Sequence, residues 1–460
     1  MGSVRRCLGV LALLVAVVAL SPTNGTAAVS ADWAMPGRGP GHAGFNPGET
    51  TIGSGNVGRL TTRWSATTWF SGASPAVVNG VAYVAAGGGR LYAFDARGSR
   101  GCSGRPATCA PLWTATVGGN LTEPTVVGNV VYATGFLDAS HVLLYAFDAR
   151  GSTGCSGSPR VCRALWSAPL GSVGSPPTVS GGIAYVLGGS AASTKVMAFD
   201  AGGRTGCSAA TRRCAPLWTA TMGSTQWTLS PVAVANGLVF AATDAGRVSA
   251  FSATGSTGCS GTPKACRPVW TASDPSNPWL DGLAVDGTSV YLTSVKGVLS
   301  VYDARGVGCT GTPKICSPLW TAPVDYVATG APAIAAGVVY VPSRSKSLVG
   351  RISAFDARGS SSCSGTPKVC RPLWTGRTAD RPFDGAPPAV ANGVVYVTSN
   401  QGRVQGFDAR GSMRCSGKPK TCAALWTQWT PGGYPSSPVV AGGLVYLSNE
   451  KAFYAFGLPR

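Results

Sequence analysis

The chain has 460 residues, of which 44% are hydrophobic and 12% are charged, and it contains 64 glycines and 33 prolines. This globular composition favours many short strands joined by tight turns. Lys and Arg number 37 against 18 Asp and Glu, which gives a net charge of +19. The chain has two histidines, which argues against a histidine metal site and against a Ser-His-Asp hydrolase.

The N-terminus is typical of a secretory signal peptide. Arg5 and Arg6 precede an apolar run, Leu8–Leu20, and Ala31 ends a small-residue cleavage site. The run is too short to span a bilayer, and no later segment is apolar enough to do so. Cys7 precedes the run, which argues against a lipid anchor at the cleavage site. We therefore expect a secreted or extracytoplasmic protein that carries a net charge of +17 after cleavage.

Fourteen of the fifteen cysteines form seven pairs with the spacing C-x6-C, and successive pairs lie 50 to 54 residues apart. A fixed period of this size predicts a propeller or a solenoid. The pairs are Cys102/Cys109, Cys155/Cys162, Cys207/Cys214, Cys259/Cys266, Cys309/Cys316, Cys363/Cys370 and Cys415/Cys422.

Each period contains the same sequence of β-rich segments. In the first period, residues 75–78 and 81–84 flank an Asn79-Gly80 hairpin turn, residues 90–95 follow a Gly-rich turn, and residues 111–115 follow the cysteine pair. Four short strands per period, with no helical periodicity, predict the blade of a β-propeller.

One tryptophan recurs in the predicted fourth strand of each period. The eight copies are Trp64, Trp113, Trp166, Trp218, Trp270, Trp320, Trp374 and Trp426. Trp64 lacks three preceding strands, and the last set of strands, residues 438–456, lacks a following tryptophan. These fragments complete one another, so we predict an all-β, eight-bladed propeller of four-stranded antiparallel blades, whose last blade is closed by the N-terminal strand.

The pattern Ala93-Phe-Asp95-Ala-Arg-Gly98…Trp113 resembles the tryptophan-docking motif of propeller repeats of the pyrroloquinoline-quinone (PQQ) type, and residues 33–47 resemble the lead-in segment of such proteins. The resemblance implies that the tryptophans dock adjacent blades. This sequence departs from the family in two ways. A cysteine hairpin is inserted between the Gly and the Trp of the motif, and Ser252 replaces the aspartate in the fourth repeat. We divide the chain into a signal peptide (1–31), a lead-in segment (32–56) and the propeller (57–460).

The C-x6-C spacing places the two cysteines on facing strands, which suits a disulfide better than zinc. These hairpins and the turns before them hold 20 Lys and Arg against six Asp, and we expect them to project from one face. Such a face suits an anionic polymer, although a solvated, solubilising surface is the simpler interpretation. The candidate polyanion-binding residues are Arg160, Arg163, Arg212, Arg213, Arg414, Lys418 and Lys420.

The connections between blades share the opposite face and contain aromatic residues outside the repeat pattern. They either stack on a ligand or plug the central channel. The candidate ligand-face residues are Trp69, Trp227, Trp279, Phe383, Trp429, Asp281 and Asp384.

PQQ-dependent dehydrogenases of this type stack the cofactor against a disulfide of adjacent cysteines, and no two cysteines are adjacent here. The C-x-x-C-His haem motif is absent, and we identify no calcium-ligand set, no catalytic residue and no metal site. We therefore expect a non-enzymatic binding or scaffold protein without a cofactor, with a PQQ-dependent oxidoreductase as the alternative. The partner is an anionic cell-envelope polymer, a glycan or a protein; no nucleic-acid-binding module is present, and we expect a monomer.

Overall fold

A computed structural model describes residues 2, 30–69, 72–224, 230–273, 280–380 and 386–459, with the backbone alone at 280 and 281. In these ranges the chain is all β, and its helical content is one 3-10 turn, Val57–Arg59. No helix in the described ranges is long and apolar enough to cross a membrane. The signal-peptide residues 3–29 lie outside the described residues.

The first repeat unit shows how the sequence builds a sheet. Ala76–Val78 and Val81–Ala86 pair antiparallel around Asn79 and Gly80, which both have positive φ (51° and 75°). That backbone geometry matches the right-handed twist of the two strands. Arg90–Asp95 pairs next, and Trp113–Thr116 forms the outer strand.

Seven further units follow the same order, from the innermost strand to the outer one. A bridge between Gly171 and Gly189 joins units 2 and 3 into one larger sheet. The strands are Thr125–Val127, Val130–Phe136, Val142–Asp148 and Trp166–Gly171 (unit 2); Thr178–Ser180, Ile183–Ser190, Ser193–Asp200 and Trp218–Gly223 (unit 3); Ala233–Ala235, Leu238–Ala242, Arg247–Ser252 and Trp270–Ser273 (unit 4); Leu280–Val285, Ser289–Ser294, Val298–Asp303 and Trp320–Pro323 (unit 5); Ala333–Ala335, Val338–Arg344, Gly350–Asp356 and Trp374–Arg377 (unit 6); Ala389–Ala391, Val394–Thr398, Arg403–Asp408 and Trp426–Trp429 (unit 7); Val439–Ala441, Leu444–Ser448, Ala452–Gly457 and Thr61–Thr67 (unit 8). Short additional strands are Phe45–Asn46, Asn120–Leu121 and Val327–Ala328.

The outer strand of unit 8 comes from the N-terminal part of the chain. Thr61–Thr67 pairs antiparallel with Ala452–Gly457, with a register shift between Thr62 and Trp64. Strands from the two ends of the described chain therefore lie in one sheet.

All seven predicted disulfides are present, with Cα–Cα distances of 3.9 to 4.3 Å. The hairpins that carry them are held against the sheets, a contact that the sequence does not predict. Each hairpin lies on the outer strand of the preceding unit and pairs with it in parallel, as Val161–Cys162 does with Thr114 and Ala115 of unit 1. The pairing satisfies the outer-strand amide groups, since Thr114 N–H donates to Arg160 O (2.9 Å).

The hairpin strands are short. They are Cys102–Ser103, Ala107–Cys109, Cys155–Ser156, Val161–Cys162, Cys259–Ser260, Lys264–Cys266, Lys314–Ile315, Cys363–Ser364, Val369–Cys370, Cys415–Ser416 and Thr421–Cys422. The hairpin of the third pair is held by isolated bridges, Cys207 to Cys214 and Ser167 to Arg213, and that of the fifth pair, which closes with Cys309–Cys316, by a bridge from Thr310 to Ile315.

The second cysteine of every pair is buried. Cys214 is 2% exposed in the core cluster of Trp166, and Cys316 is 6% exposed in the core cluster of Trp270. Their amides donate to outer-strand carbonyl groups of the preceding unit, Cys214 to Ser167 O (2.9 Å) and Cys316 to Thr271 O (2.8 Å). The parallel pairing holds the second hairpin strand against the preceding sheet, so each disulfide lies partly within a core.

The outer strand of unit 7 differs, because unit 8 contributes no hairpin. Val57–Arg59 lies beside it, and Val57 is fully buried in the same core cluster as Trp426. This 3-10 turn, which follows the lead-in segment, therefore packs near the start of the outer strand of unit 7. In the other units a hairpin covers the outer strand.

Neighbouring units are joined by a recurring pair of aromatic donors. The Trp374 Nε1–H and the Tyr340 hydroxyl, both in unit 6, donate to the same carbonyl oxygen, that of Ala409 in unit 7 (3.2 and 2.9 Å). In the same way, the Trp64 Nε1–H and the Tyr446 hydroxyl both donate hydrogen bonds to the carbonyl oxygen of Ala96. Buried carbonyl oxygens have two lone pairs, and both are used here.

Candidate functional site

The lead-in segment hydrogen-bonds to the inner strands of most units. Trp33 exchanges two backbone hydrogen bonds with Val77 of unit 1 (both 2.7 Å), and the Asn46 amide donates to Val440 O of unit 8 (2.7 Å). Between them, carbonyl groups of the segment accept inner-strand amides of units 2, 4, 5, 6 and 7 at 2.6 to 2.7 Å. These bonds join Val126 to Ala34, Val234 to Pro40, Val285 to Gly41, Ile334 to Ala43 and Val390 to Gly44.

Glycine is required at one of these crossings. A Cβ at Gly41 would lie 2.4 Å from the backbone oxygen of Val285. The segment can therefore approach the inner strand only because position 41 has no side chain.

His42 fixes the segment to unit 3. Its Nδ1 lies 2.5 Å from Pro36 O, and its Nε2 lies 2.9 Å from Thr178 Oγ1 and 3.0 Å from Val232 O. Burial lowers the pKa of His42, although the two carbonyl contacts oppose that shift. His42 is a buried structural residue, held on both ring nitrogens.

A cavity of about 280 Å³ lies against this segment and is lined by Trp33, His42 and residues that precede the inner strands. In seven units the inner strand is preceded by a residue followed by proline, for example Ser74-Pro75 and Ser437-Pro438. Glu123 of unit 2 is the one charged residue at this position. Burial raises the pKa of Glu123, while backbone amides of Glu123 and Ser74 oppose that shift.

Sequence reasoning missed Glu123, because one acid among many turn residues carries no motif. The available signal was positional: it alone is charged among the residues before the inner-strand prolines. The cavity walls otherwise consist mainly of proline, serine and apolar side chains.

Two of the predicted ligand-face residues are described with side chains. Trp69 and Trp429 are 68% and 56% exposed, and both lie at the end of an outer strand, in units 8 and 7. Trp429 Nε1 donates to Gln401 O (3.1 Å), which fixes its ring. Trp227, Trp279, Phe383 and Asp384 lie outside the described residues, as does the side chain of Asp281.

The predicted polyanion-binding residues all lie on the hairpins and are exposed. None of the seven forms an ion pair with an acid among the described residues. Two are oriented by backbone contacts: Arg160 Nη1 donates to Gly151 O (2.8 Å) and Lys420 Nζ to Gly411 O (3.2 Å). The structure thus brings them to one edge of the successive sheets, near the aspartate turns.

The aspartate turns that precede the hairpins are rigid. Oδ2 of Asp356 accepts hydrogen bonds from Ser360 N, Ser360 Oγ and Ser361 N at 2.6 to 2.9 Å. Partial burial opposes ionisation, but these hydrogen bonds outweigh it and lower the pKa of Asp356 to about 2. Ser252 replaces the aspartate in unit 4 and bonds weakly to Ser256 (3.2 Å).

No metal-ligating group of three or more His, Cys, Asp or Glu occurs within the described ranges. The chain matches no protein-family profile and no curated protein sequence. Solved structures do resemble it. The quinohemoprotein alcohol dehydrogenase from Comamonas testosteroni is 14% identical, with a TM-score of 0.62 over 95% of this chain and 82% of that one.

Two other solved structures are similar to this chain. BamB from Moraxella catarrhalis is 16% identical, with a TM-score of 0.58 over 86% of this chain and 99% of BamB. A europium-containing methanol dehydrogenase is 13% identical, with a TM-score of 0.61 over 93% of this chain and 98% of that one. The fold is a β-propeller. At these identities the likeness establishes the propeller fold alone and leaves the activity open.

The propeller fold gives the cavity its position. The inner strands of a propeller surround the central axis, and the lead-in segment bonds to inner strands of units 1, 2, 4, 5, 6 and 7. The cavity therefore lies at the axis, with the segment as one wall. It belongs to the end of the propeller where the outer strands finish and Trp69 and Trp429 are exposed.

Proposed function

We propose that this chain is a non-catalytic, extracytoplasmic binding protein on an eight-bladed propeller, and that its hairpin face binds an anionic polymer of the cell envelope. Eight recurring tryptophans and eight strand units support the blade number. Seven disulfides fit an oxidising environment outside the cytoplasm.

One observation carries the polyanion proposal: exposed Lys and Arg without acidic partners recur on hairpins held in the same orientation. Each hairpin is fixed by a disulfide and by parallel pairing to the preceding unit, as at Thr375 and Thr421. A fixed array of like charges raises the local concentration of a polyanion. Because the hairpins are already ordered, the protein does not have to fold when the polymer binds.

The residues around the axis fit PQQ poorly. PQQ carries three carboxylates, yet the described residues that line the cavity include no Lys or Arg and one carboxylate, Glu123. The disulfides join cysteines seven positions apart and lie on the outer strands, away from the axis. The described residues therefore favour a binding protein over the quinoprotein dehydrogenase alternative.

The test is binding of purified wall teichoic acid, with heparin as a second polyanion and dextran as a neutral control. We expect affinity to fall steeply between low and high salt, because the contacts are exposed and screened. The triple variant Arg414→Ser/Lys418→Ser/Lys420→Ser removes three charges from one hairpin, and we expect it to weaken binding several-fold.

The matched control, Arg90→Ser/Arg247→Ser/Lys451→Ser, removes the same charge away from the hairpins. Arg90 and Arg247 are exposed and begin third strands, at the opposite end from the aspartate turns. An equal loss of affinity in both triple variants would show that binding depends only on net charge. An affinity that does not change with salt concentration would overturn the proposal. Thermal unfolding of each variant shows that the fold is retained. Uptake of PQQ and Ca²⁺ with dye reduction by alcohols would establish the oxidoreductase instead.

A further inference from the structure

The axial cavity combines an unpaired carboxylate with a mostly apolar wall. Glu123 has no Lys, Arg or His within ion-pair distance among the described residues. The ring of His42, the other ionisable group of the lining, is engaged by Pro36, Thr178 and Val232. Among the described residues of the lining, the cavity therefore has one acidic group and no Lys or Arg to balance it.

An isolated carboxylate in such surroundings is unfavourable. Transfer of a charge from water to an apolar site is costly unless the group is neutralised or paired, and the backbone amides of Glu123 and Ser74 offset part of that cost here. The raised pKa of Glu123 reflects this burial. A cationic ligand would supply the missing partner.

The remaining wall suits an organic cation better than a hydrated metal ion. Trp33, Leu283 and several prolines line the cavity, while Glu123 supplies its one carboxylate. Metal sites of hard cations need several oxygen ligands, whereas ammonium groups bind where one carboxylate and an aromatic ring lie together. The volume of about 280 Å³ is at the lower end for small-molecule sites.

We propose that the axial cavity binds a small organic monocation, an ammonium group with an apolar body, through Glu123 and the wall that includes Trp33. This site lies at the other end of the propeller from the basic hairpins and is independent of polyanion binding. One carboxylate matches one positive charge, and the lead-in segment limits the depth to which a ligand can enter.

The test is isothermal titration of the mature protein with choline and with butylammonium, which separate quaternary from primary ammonium ligands. The neutral isosteres 3,3-dimethyl-1-butanol and 1-butanol are the matched controls. We expect at least one cation to bind at least tenfold more tightly than its isostere. We expect Glu123→Gln to abolish this difference, and Glu450→Gln, at a partly exposed acid of unit 8, to leave it unchanged.

A second variant guards against a folding defect in Glu123→Gln. Ser437→Leu fills part of the cavity while the carboxylate stays in place, and we expect it to weaken cation binding in a protein whose thermal unfolding matches the wild type. Equal affinity for cation and isostere, unchanged binding by Glu123→Gln, or no binding of either cation at about 10 mM would each overturn the proposal.

Discussion

Unit 4 lacks one member of the aromatic donor pair, and this allows a direct test of how the units are joined. Phe240 occupies the position of Tyr340, so Trp270 Nε1 is the one side-chain donor to Ala304 O (3.2 Å). The ring geometry is the same in both units. The Phe240–Trp270 centroids are 5.9 Å apart at 51°, and the Tyr340–Trp374 centroids are 6.0 Å apart at 52°.

We predict that Trp270→Phe destabilises the protein more than Trp374→Phe does. Both variants lose the same ring volume, but Ala409 O keeps the Tyr340 hydroxyl, whereas Ala304 O loses its side-chain donor. Leaving a buried acceptor unsatisfied costs about 1–3 kcal/mol, and that is the expected difference in the free energy of unfolding.

The complementary change is Phe240→Tyr, which places a hydroxyl where the other units have one. In those units the hydroxyl stays protonated, because burial raises the pKa of its counterpart Tyr185 to about 12. We expect about 1 kcal/mol of stabilisation in the wild type and a larger gain in Trp270→Phe.

Urea unfolding, followed by tryptophan fluorescence and far-ultraviolet circular dichroism, gives the midpoints and slopes for the wild type, the three single variants and the Trp270→Phe/Phe240→Tyr double variant. Equal losses for the two tryptophan variants would refute the shared-carbonyl argument. A destabilising effect of Phe240→Tyr would refute it as well, because the predicted stabilisation comes from the hydrogen bond of the added hydroxyl.

Two further predictions concern the hairpins and the turns before them. Replacing Cys415 and Cys422 together by serine should lower the free energy of unfolding by about 2.5 kcal/mol, because the disulfide closes an eight-residue loop and so reduces the chain entropy of the unfolded state. In urea under reducing conditions, the wild type and the variant should show no such difference. The lowered pKa of Asp356 contributes stability that is present above its unfolded-state pKa of about 4 and is lost as pH falls toward about 2. Asp356→Asn should therefore flatten the decline in unfolding free energy over that pH window, and an unchanged decline would contradict the hydrogen-bonding account.

The local features of the fold could be predicted from the sequence. The cysteines of each pair lie seven positions apart, so one short hairpin determines their pairing. Asn79-Gly80 specifies its turn through backbone geometry, and the recurring tryptophans mark the outer strands. Each of these rests on neighbours within one period, which residue type and spacing encode directly.

Contacts between periods were decided by the tertiary structure. The hairpins carry no sequence signal that they pair with the preceding unit, as Arg160 does with Thr114. The same holds for the axis, where Pro40 meets Val234 and where Trp33 and Glu123 line one cavity. These residues meet because the inner strands surround one axis, and a periodic sequence specifies each strand without specifying what lies across the centre.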